Sequence, residues 1–337
     1  MSTAVDTLAA QFNGAKQYRE VGIVVQRSIV VLSLLLIPIG VIWCYVREIF
    51  EAVGVAPDIS EVMATYIKVY AWALPVLPFF QTYRRYLIAL GITRPGMYMS
   101  ITTDIVLVLS GYILVEYYNF GVEGVAWASV ISTTCSRIIL LAITWNHPQV
   151  QRTLQPPHRD ALAGIPEFIS LGVPGCVMIC AEWWAYELLL VFASSLGSEA
   201  VTAQSLIFQL SNMTYMIPSC VSSAAGSLVG NVLGSGDASL AIDVASLCLM
   251  LIFAMEFVIA PCMAFFGKYF VSLYASDPTV VRICDAAIPI LAVVAVTDGI
   301  QGVCSGILRG CGKQNIGAIV NVFCYYGVGK LSVLCLG

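Results

Sequence analysis

Nine long apolar stretches, almost end to end, set the terms on which this chain can fold. They run Gly22–Tyr45, Val62–Tyr83, Met97–Val115, Val122–Trp145, Phe168–Ala193, Thr202–Val229, Leu240–Phe266, Val280–Leu308 and Gly317–Leu336. A bilayer core about 30 Å thick is crossed by about 20 residues of α-helix, so each stretch is long enough to span. Lipid offers no partners to free backbone N–H and C=O groups, which leaves helices and closed barrels as the spanning forms. A barrel would alternate over strands of about ten residues; these runs are continuous and predict helices. Composition agrees, with 59% hydrophobic and 11% charged residues against about 25% charged in a soluble domain. The predicted fold is an all-α integral membrane protein with about nine transmembrane helices, multi-pass in the lipid bilayer.

The few charges alternate between connections. Lys16 and Arg19, then Arg84, Arg85 and Arg94, then Arg137, Arg152 and Arg159, then Arg309 and Lys313 make basic connections. Between them, Arg47 is outnumbered by Glu48, Glu51, Asp58 and Glu61, and the connections at Glu116–Glu123 and Glu199 hold no base. Lys and Arg mark the cytoplasmic side, which predicts the basic set to be cytoplasmic. The connection Gly234–Asp243 carries Asp237 and Asp243 without a base, but acids weigh little in this rule. Asn146–Glu167 is long and polar and contains Pro148, Pro156 and Pro157. It reads as a cytoplasmic linker, 146–167, between a first helical lobe, 1–145, with four full helices, and a second, 168–337, with five. The formal net charge of -4 gives no reason to expect a nucleic-acid partner.

The two lobes share a weak internal repeat. Gln11 and Asn231, Gly14 and Gly234, Phe50 and Phe270, and Gln81 and Gln301 each stand 220 positions apart. With one added residue Leu87 meets Leu308 and Gly91 meets Gly312. Transporters are commonly built from such halves around a central cavity. A six-helix unit repeated twice fits this period. It predicts a twelve-helix, two-lobe protein, of which the chain lacks about two helices at its start and one at its end.

Two carboxylates stand out within apolar runs of the second lobe. Glu182 follows Val177-Met-Ile-Cys-Ala181, and Asp298 follows Ala292-Val-Val-Ala-Val-Thr297. A carboxylate at a helix centre costs about 2.5–3.5 kcal/mol on insertion scales, and such residues mark functional sites by default. Low polarity disfavours the ionised form, which suits a group that takes up and releases protons. Glu187 is rotated by about 140° from Glu182 at 3.6 residues per turn, so the two do not share a face. Tyr186, one turn from Glu182, does share it. Trp183 and Trp184 are aromatic faces of the kind that attract organic cations, or that simply pack a bundle. Asp104 reads as structural, and Arg27 as snorkelling to the cytoplasmic interface. Twelve scattered cysteines and two histidines, His147 and His158, lack metal-ligand spacing. No nucleophile–base set appears, so neither an enzyme, a metal nor a cofactor is expected.

Several motifs here are familiar. Leu171-Gly-Val-Pro174 with Glu182-Trp-Trp-Ala-Tyr-Glu187 resembles the seventh helix of eukaryotic multidrug and toxic compound extrusion (MATE) transporters. Gly306-Ile-Leu-Arg-Gly-Cys-Gly312, Gln314 and Gly317-Ala-Ile-Val-Asn321 resemble the end of the tenth helix and the start of the eleventh. Asp6-Thr-Leu and Gly14-Ala-Lys16 resemble the junction of the second and third. The resemblance implies two six-helix lobes and efflux of organic cations or metabolites against protons, with sodium the lesser alternative, at a plasma, vacuolar or other organellar membrane. It also implies that Glu182 and Asp298 exchange protons with cationic substrate. The candidate proton- and substrate-binding set is Glu182, Asp298, Tyr186, Glu187, Gln204, Gln301 and Tyr325. The chain departs from the family pattern at Leu228–Gly234, which lacks the usual Arg and Glu, at Gln209, and at Lys330 after Gly329. Two other readings stay open: a non-transporting fragment or regulatory isoform, and a related flippase of lipid-linked sugars.

Overall fold

The computed structural model describes residues 1–154, 156–275 and 277–328. In chain order the helices are α1 (Thr3–Gly14), α2 (Tyr18–Cys44), α3 (Val46–Ala52), α4 (Pro57–Tyr70), α5 (Leu77–Ala89), α6 (Arg94–Gly111) and α7 (Gly121–Thr144). Then come α8 (Pro148–Thr153), α9 (Asp160–Ala163), α10 (Ile165–Ser194), α11 (Ser198–Gly234), α12 (Ala238–Tyr274), α13 (Pro278–Gly310) and α14 (Gln314–Val322). No strand occurs among the described residues.

Among the described residues, eight helical spans are long and apolar enough to cross a membrane, and the first eight predicted runs fall on them. α4 and α5 form one span, joined by a 3₁₀ stretch over Ala71–Val76 that contains Pro75. A proline without an N–H loosens the α-helical ladder there. The ninth run, Gly317–Leu336, coincides with α14 at its start; from residue 329 on, Lys330 included, it lies outside the described residues. The protein is a multi-pass membrane protein, and its exterior is correspondingly apolar. Leu34 and Ile37 on α2, Phe253 and Phe257 on α12, and Ile290 and Val293 on α13 are all exposed.

The chain divides into two compact units. The first runs from Gln17 to Phe168; the second gathers Thr3–Lys16 with the chain from Ile169 onward. The boundary at 168 follows the polar linker, but α1 departs from a first lobe of 1–145. Its small residues Ala4, Ala9 and Ala10 are fully buried, and α1 packs on α11 and α13. Thr7 donates to the Arg309 carbonyl at 2.6 Å and Gln11 to the Gly310 carbonyl at 2.9 Å.

Within the second unit, α11 and α13 approach unusually closely. A Cβ added at Gly306 would fall 2.1 Å from the Ser222 carbonyl oxygen. The apolar core between α11, α12 and α13 is built from Leu210, Met263, Val271, Cys284 and Ile288.

In the first unit, Arg27 does not reach water as the sequence suggested. It is only 8% exposed and donates to the carbonyls of Asp160 and Ala161, each at 3.3 Å. A guanidinium presents five donors in a rigid fork, and here they satisfy the end of the short helix α9. Gln26 beside it donates to the Pro156 carbonyl at 3.0 Å and accepts from the His158 N–H at 2.9 Å. The linker is thus folded onto α2.

The internal repeat is visible in backbone geometry. After α5 the Ile92 N–H bonds to the Leu87 carbonyl, and after α13 the Lys313 N–H bonds to the Leu308 carbonyl. Both turns close on a left-handed glycine, Gly91 at φ 75° and Gly312 at φ 71°. This is the Schellman ending, in which glycine avoids the Cβ clash of that conformation. α4 and α13 also begin alike, with Pro57 and Pro278 in the first turn.

Candidate functional site

The second unit brings Glu182 of α10 and Asp298 of α13 to one pocket. Its lining is completed by Trp183 and Tyr186 of α10 and by Phe208, Ser211, Asn212 and Tyr215 of α11. No Lys or Arg is among them. Asp298 is the better satisfied acid: Tyr186 donates to its Oδ2 at 2.6 Å, and Tyr325 to its Oδ1 at 3.4 Å. Tyr215 lines the same pocket as Glu182. Asp298 therefore has phenol hydroxyls for partners, which steady a carboxylate without neutralising it.

The helices hold this arrangement through their own backbones. Asn321 of α14 donates to the Met178 carbonyl at 3.1 Å, and Tyr326 donates to the Ala181 carbonyl at 3.1 Å. Both contacts pin α10 in the turn that precedes Glu182. Gln301 donates to Asn321 Oδ1 at 3.1 Å and to Ser305 Oγ at 3.2 Å. It thus ties α13 to α14 and is not on the lining of the acidic pocket.

Glu187 and Gln204 border a different pocket, with Tyr186, Leu190, Ser205, Phe208 and Gln209. The rotation between Glu182 and Glu187 along α10 is the reason, and Tyr186 lies between the two pockets as a shared wall. Trp184 is 67% exposed and takes no part in either lining. The ring of Tyr186 packs on Phe208 at 5.4 Å between centroids, and Trp183 meets the same ring edge-on at 6.2 Å.

Sequence reasoning passed over Ser211, Asn212 and Tyr215, which α11 presents to the acids. It also passed over Glu256 of α12, which borders a neighbouring pocket with Asp298. For Glu256 the signal existed: it is an acid within Leu249–Ala260, a run as apolar as those around Glu182 and Asp298. For Tyr215 no sequence signal separates a pocket phenol from a packed one.

In the first unit, Asp104 borders a polar pocket with Gln81, Arg84, Thr103, Ser136 and Arg137. Its neighbours include two bases, so that lining carries more positive than negative charge, unlike the second unit's pocket.

The MatE family model matches residues 1–113 and 174–331. Multidrug and toxin extrusion protein 1 of Mus musculus is 34% identical over 334 residues, which cover 98% of this chain and 58% of that protein. Protein DETOXIFICATION 16 of Arabidopsis thaliana is 31% identical over 337 residues, covering 99% and 69% respectively. The chain thus spans 58% of the length of the mouse relative. A crystal structure of the eukaryotic MATE transporter AtDTX14 matches with a TM-score of 0.89 at 25% identity, over 96% of this chain and 73% of that one.

Proposed function

The chain belongs to the MatE family, and on that premise we propose that it works as a secondary active antiporter exporting organic cations, drugs or metabolites in exchange for protons. The observation that carries this reading is the pocket holding Glu182 and Asp298 among aromatic and hydroxyl side chains, with no base in its lining. Such a lining attracts a cation by charge and by ring faces. The mouse relative is named for multidrug and toxin extrusion, which supports the class of cargo.

Exchange follows from competition for the same oxygens. An ionised Glu182 or Asp298 binds a cationic cargo; a proton added to the carboxylate removes the charge that holds it. A ligand shifts a conformational equilibrium only by its differential affinity for the two states. Proton and cargo therefore drive opposite steps if each favours a different access state. Tyr186 and Tyr325 hold the Asp298 carboxyl in place through both steps, since a phenol can donate to the carboxylate and accept from the acid. The same chemistry operates at a plasma, vacuolar or other organellar membrane.

The test is uptake of a fluorescent organic cation into vesicles carrying the protein under an imposed pH gradient. Accumulation that follows the gradient, and that disappears in the Glu182→Gln, Asp298→Asn double variant, is the expected result. Uptake that the double variant leaves intact rejects these two acids as the coupling site. Uptake that answers a sodium gradient and ignores pH assigns coupling to sodium instead.

A further inference from the structure

We propose that Glu256 is a third proton-exchanging carboxyl of the second unit, on one pocket with Asp298 and coupled to its charge. Glu256 lies on α12 and is 1% exposed. Its Oε2 has no hydrogen-bond partner. The pocket it borders is shared with Ser211, Thr214, Tyr215, Pro218, Ala295 and Asp298. These are neutral groups and one further acid.

α12 packs on α11 and α13, and neither supplies a cation there. From α11 the titratable group at the pocket is Tyr215, and from α13 it is Asp298. Arg309, farther along α13, donates to Ser222 Oγ at 2.9 Å and is not in the lining. An ionised carboxylate buried with one oxygen unpartnered and no counter-charge in its pocket is disfavoured against its protonated form. Two acids on one pocket are coupled: the charge of one sets whether the other keeps its proton.

The fold makes room for this acid. Glu256 Oε1 occupies the place where a side chain at position 299 would begin, 2.2 Å from an added Cβ. The carboxyl therefore sits against Gly299, the residue next to Asp298 in the chain. The repeat shows that packing does not require an acid here. Glu256 corresponds to Leu36 at the same 220-residue spacing that pairs Gly14 with Gly234 and Phe50 with Phe270. The first unit builds the equivalent helix with a leucine.

When water enters the pocket, the O–H bond of the Glu256 acid breaks and the proton passes to that water. The carboxylate left behind then adds a second negative charge beside Asp298. Protonation from the other side of the membrane restores the neutral acid. Proton exchange at Glu256 stands on the pocket alone; its link to cargo rests on the exporter reading above.

The two are separated by infrared difference spectroscopy of the protein in lipid vesicles between acid and alkaline medium, which reads the C=O stretch of protonated carboxyl groups. We expect Glu256→Gln to remove one pH-dependent component that Glu182→Gln and Asp298→Asn each retain, and Gly299→Ala to shift that component. Glu256→Leu, the residue of the repeat, loses the same component and serves where the glutamine variant does not fold. A spectrum unchanged in both Glu256 variants overturns the proposal. In the uptake assay, Glu256→Gln weakens the response to the pH gradient by about fivefold or more, the scale of a coupling between sites. Loss of the component in Glu256→Gln supports the proton site whatever uptake shows. Wild-type uptake that ignores the pH gradient overturns the proton coupling of the exporter reading alone.

Discussion

The Tyr186 hydroxyl lies 2.6 Å from Asp298 Oδ2 and joins α10 to α13 across the acidic pocket. A hydrogen bond to a charged group contributes about 1.5–3 kcal/mol. Tyr186→Phe keeps the ring on Phe208 and removes only the donor. It is expected to lower cation uptake by about tenfold, a loss of about 1.4 kcal/mol. Fluorescent-cation uptake in vesicles measures this; activity equal to wild type in the phenylalanine variant rejects the hydroxyl as a positioning group.

Glu187 and Glu182 are five residues apart but open into separate pockets. Charge loss at the two positions should therefore differ. Glu187→Gln is expected to reduce uptake by no more than about fivefold, the effect of losing about 1 kcal/mol from a partly exposed charge. Glu182→Gln faces the pocket with Asp298 and should reduce it far more. Equal losses in the two variants would mean that cargo contacts both pockets alike, and the distinction drawn from the helix rotation would fail.

The membrane spans were legible because the demand of lipid on backbone polar groups leaves long apolar runs with one solution. Glu182 and Asp298 were legible because a charge in such a run stands out. Glu256 stands out equally, within Leu249–Ala260, so the signal for it was present in the sequence as well. The partners of the acids were not legible. Tyr215 and Asn212 sit on a different helix from either acid, and sequence periodicity fixes which residues share a face but not which faces meet. Arg27 was misread for a related reason. Snorkelling assumes that water is the nearest acceptor, whereas the folded linker put backbone carbonyls closer. α1 is only 12 residues long, too short to read as a span, so its packing on α11 could be seen only in three dimensions.

The Arg27 contacts make a second kind of prediction, about the linker. Arg27→Ala leaves the Asp160 and Ala161 carbonyls without their donors and is expected to cost about 1–3 kcal/mol. Arg27→Lys should recover little of it, because an ammonium does not reproduce the planar fork. Trypsin cleavage after the exposed Arg159 reports the change directly: faster nicking in both variants is expected. A lysine variant as resistant as wild type would show that charge alone, and not the fork, holds the linker to α2.

A Cβ added at Gly14 would fall 1.8 Å from the Asn231 carbonyl oxygen, and one added at Gly234 would fall 2.0 Å from that of Gln11. Because Gly14 pairs with Gly234 and Gln11 with Asn231 at the same 220-residue spacing, these are one contact made twice, related as in a two-fold interface. Gly14→Ala and Gly234→Ala should each force α1 away from α11, at a cost of about 1–3 kcal/mol, and by similar amounts. The double variant should cost less than the two added together, since the first methyl already opens the gap that the second needs. Gly40→Ala is the control: it lies within α2 with nothing within 4 Å of an added Cβ, and alanine there favours the helix. Thermal unfolding in detergent compares the four proteins. Gly14→Ala and Gly234→Ala that melt together with the Gly40→Ala control would mean that α1 and α11 slide apart freely, and that the reciprocal contact holds nothing.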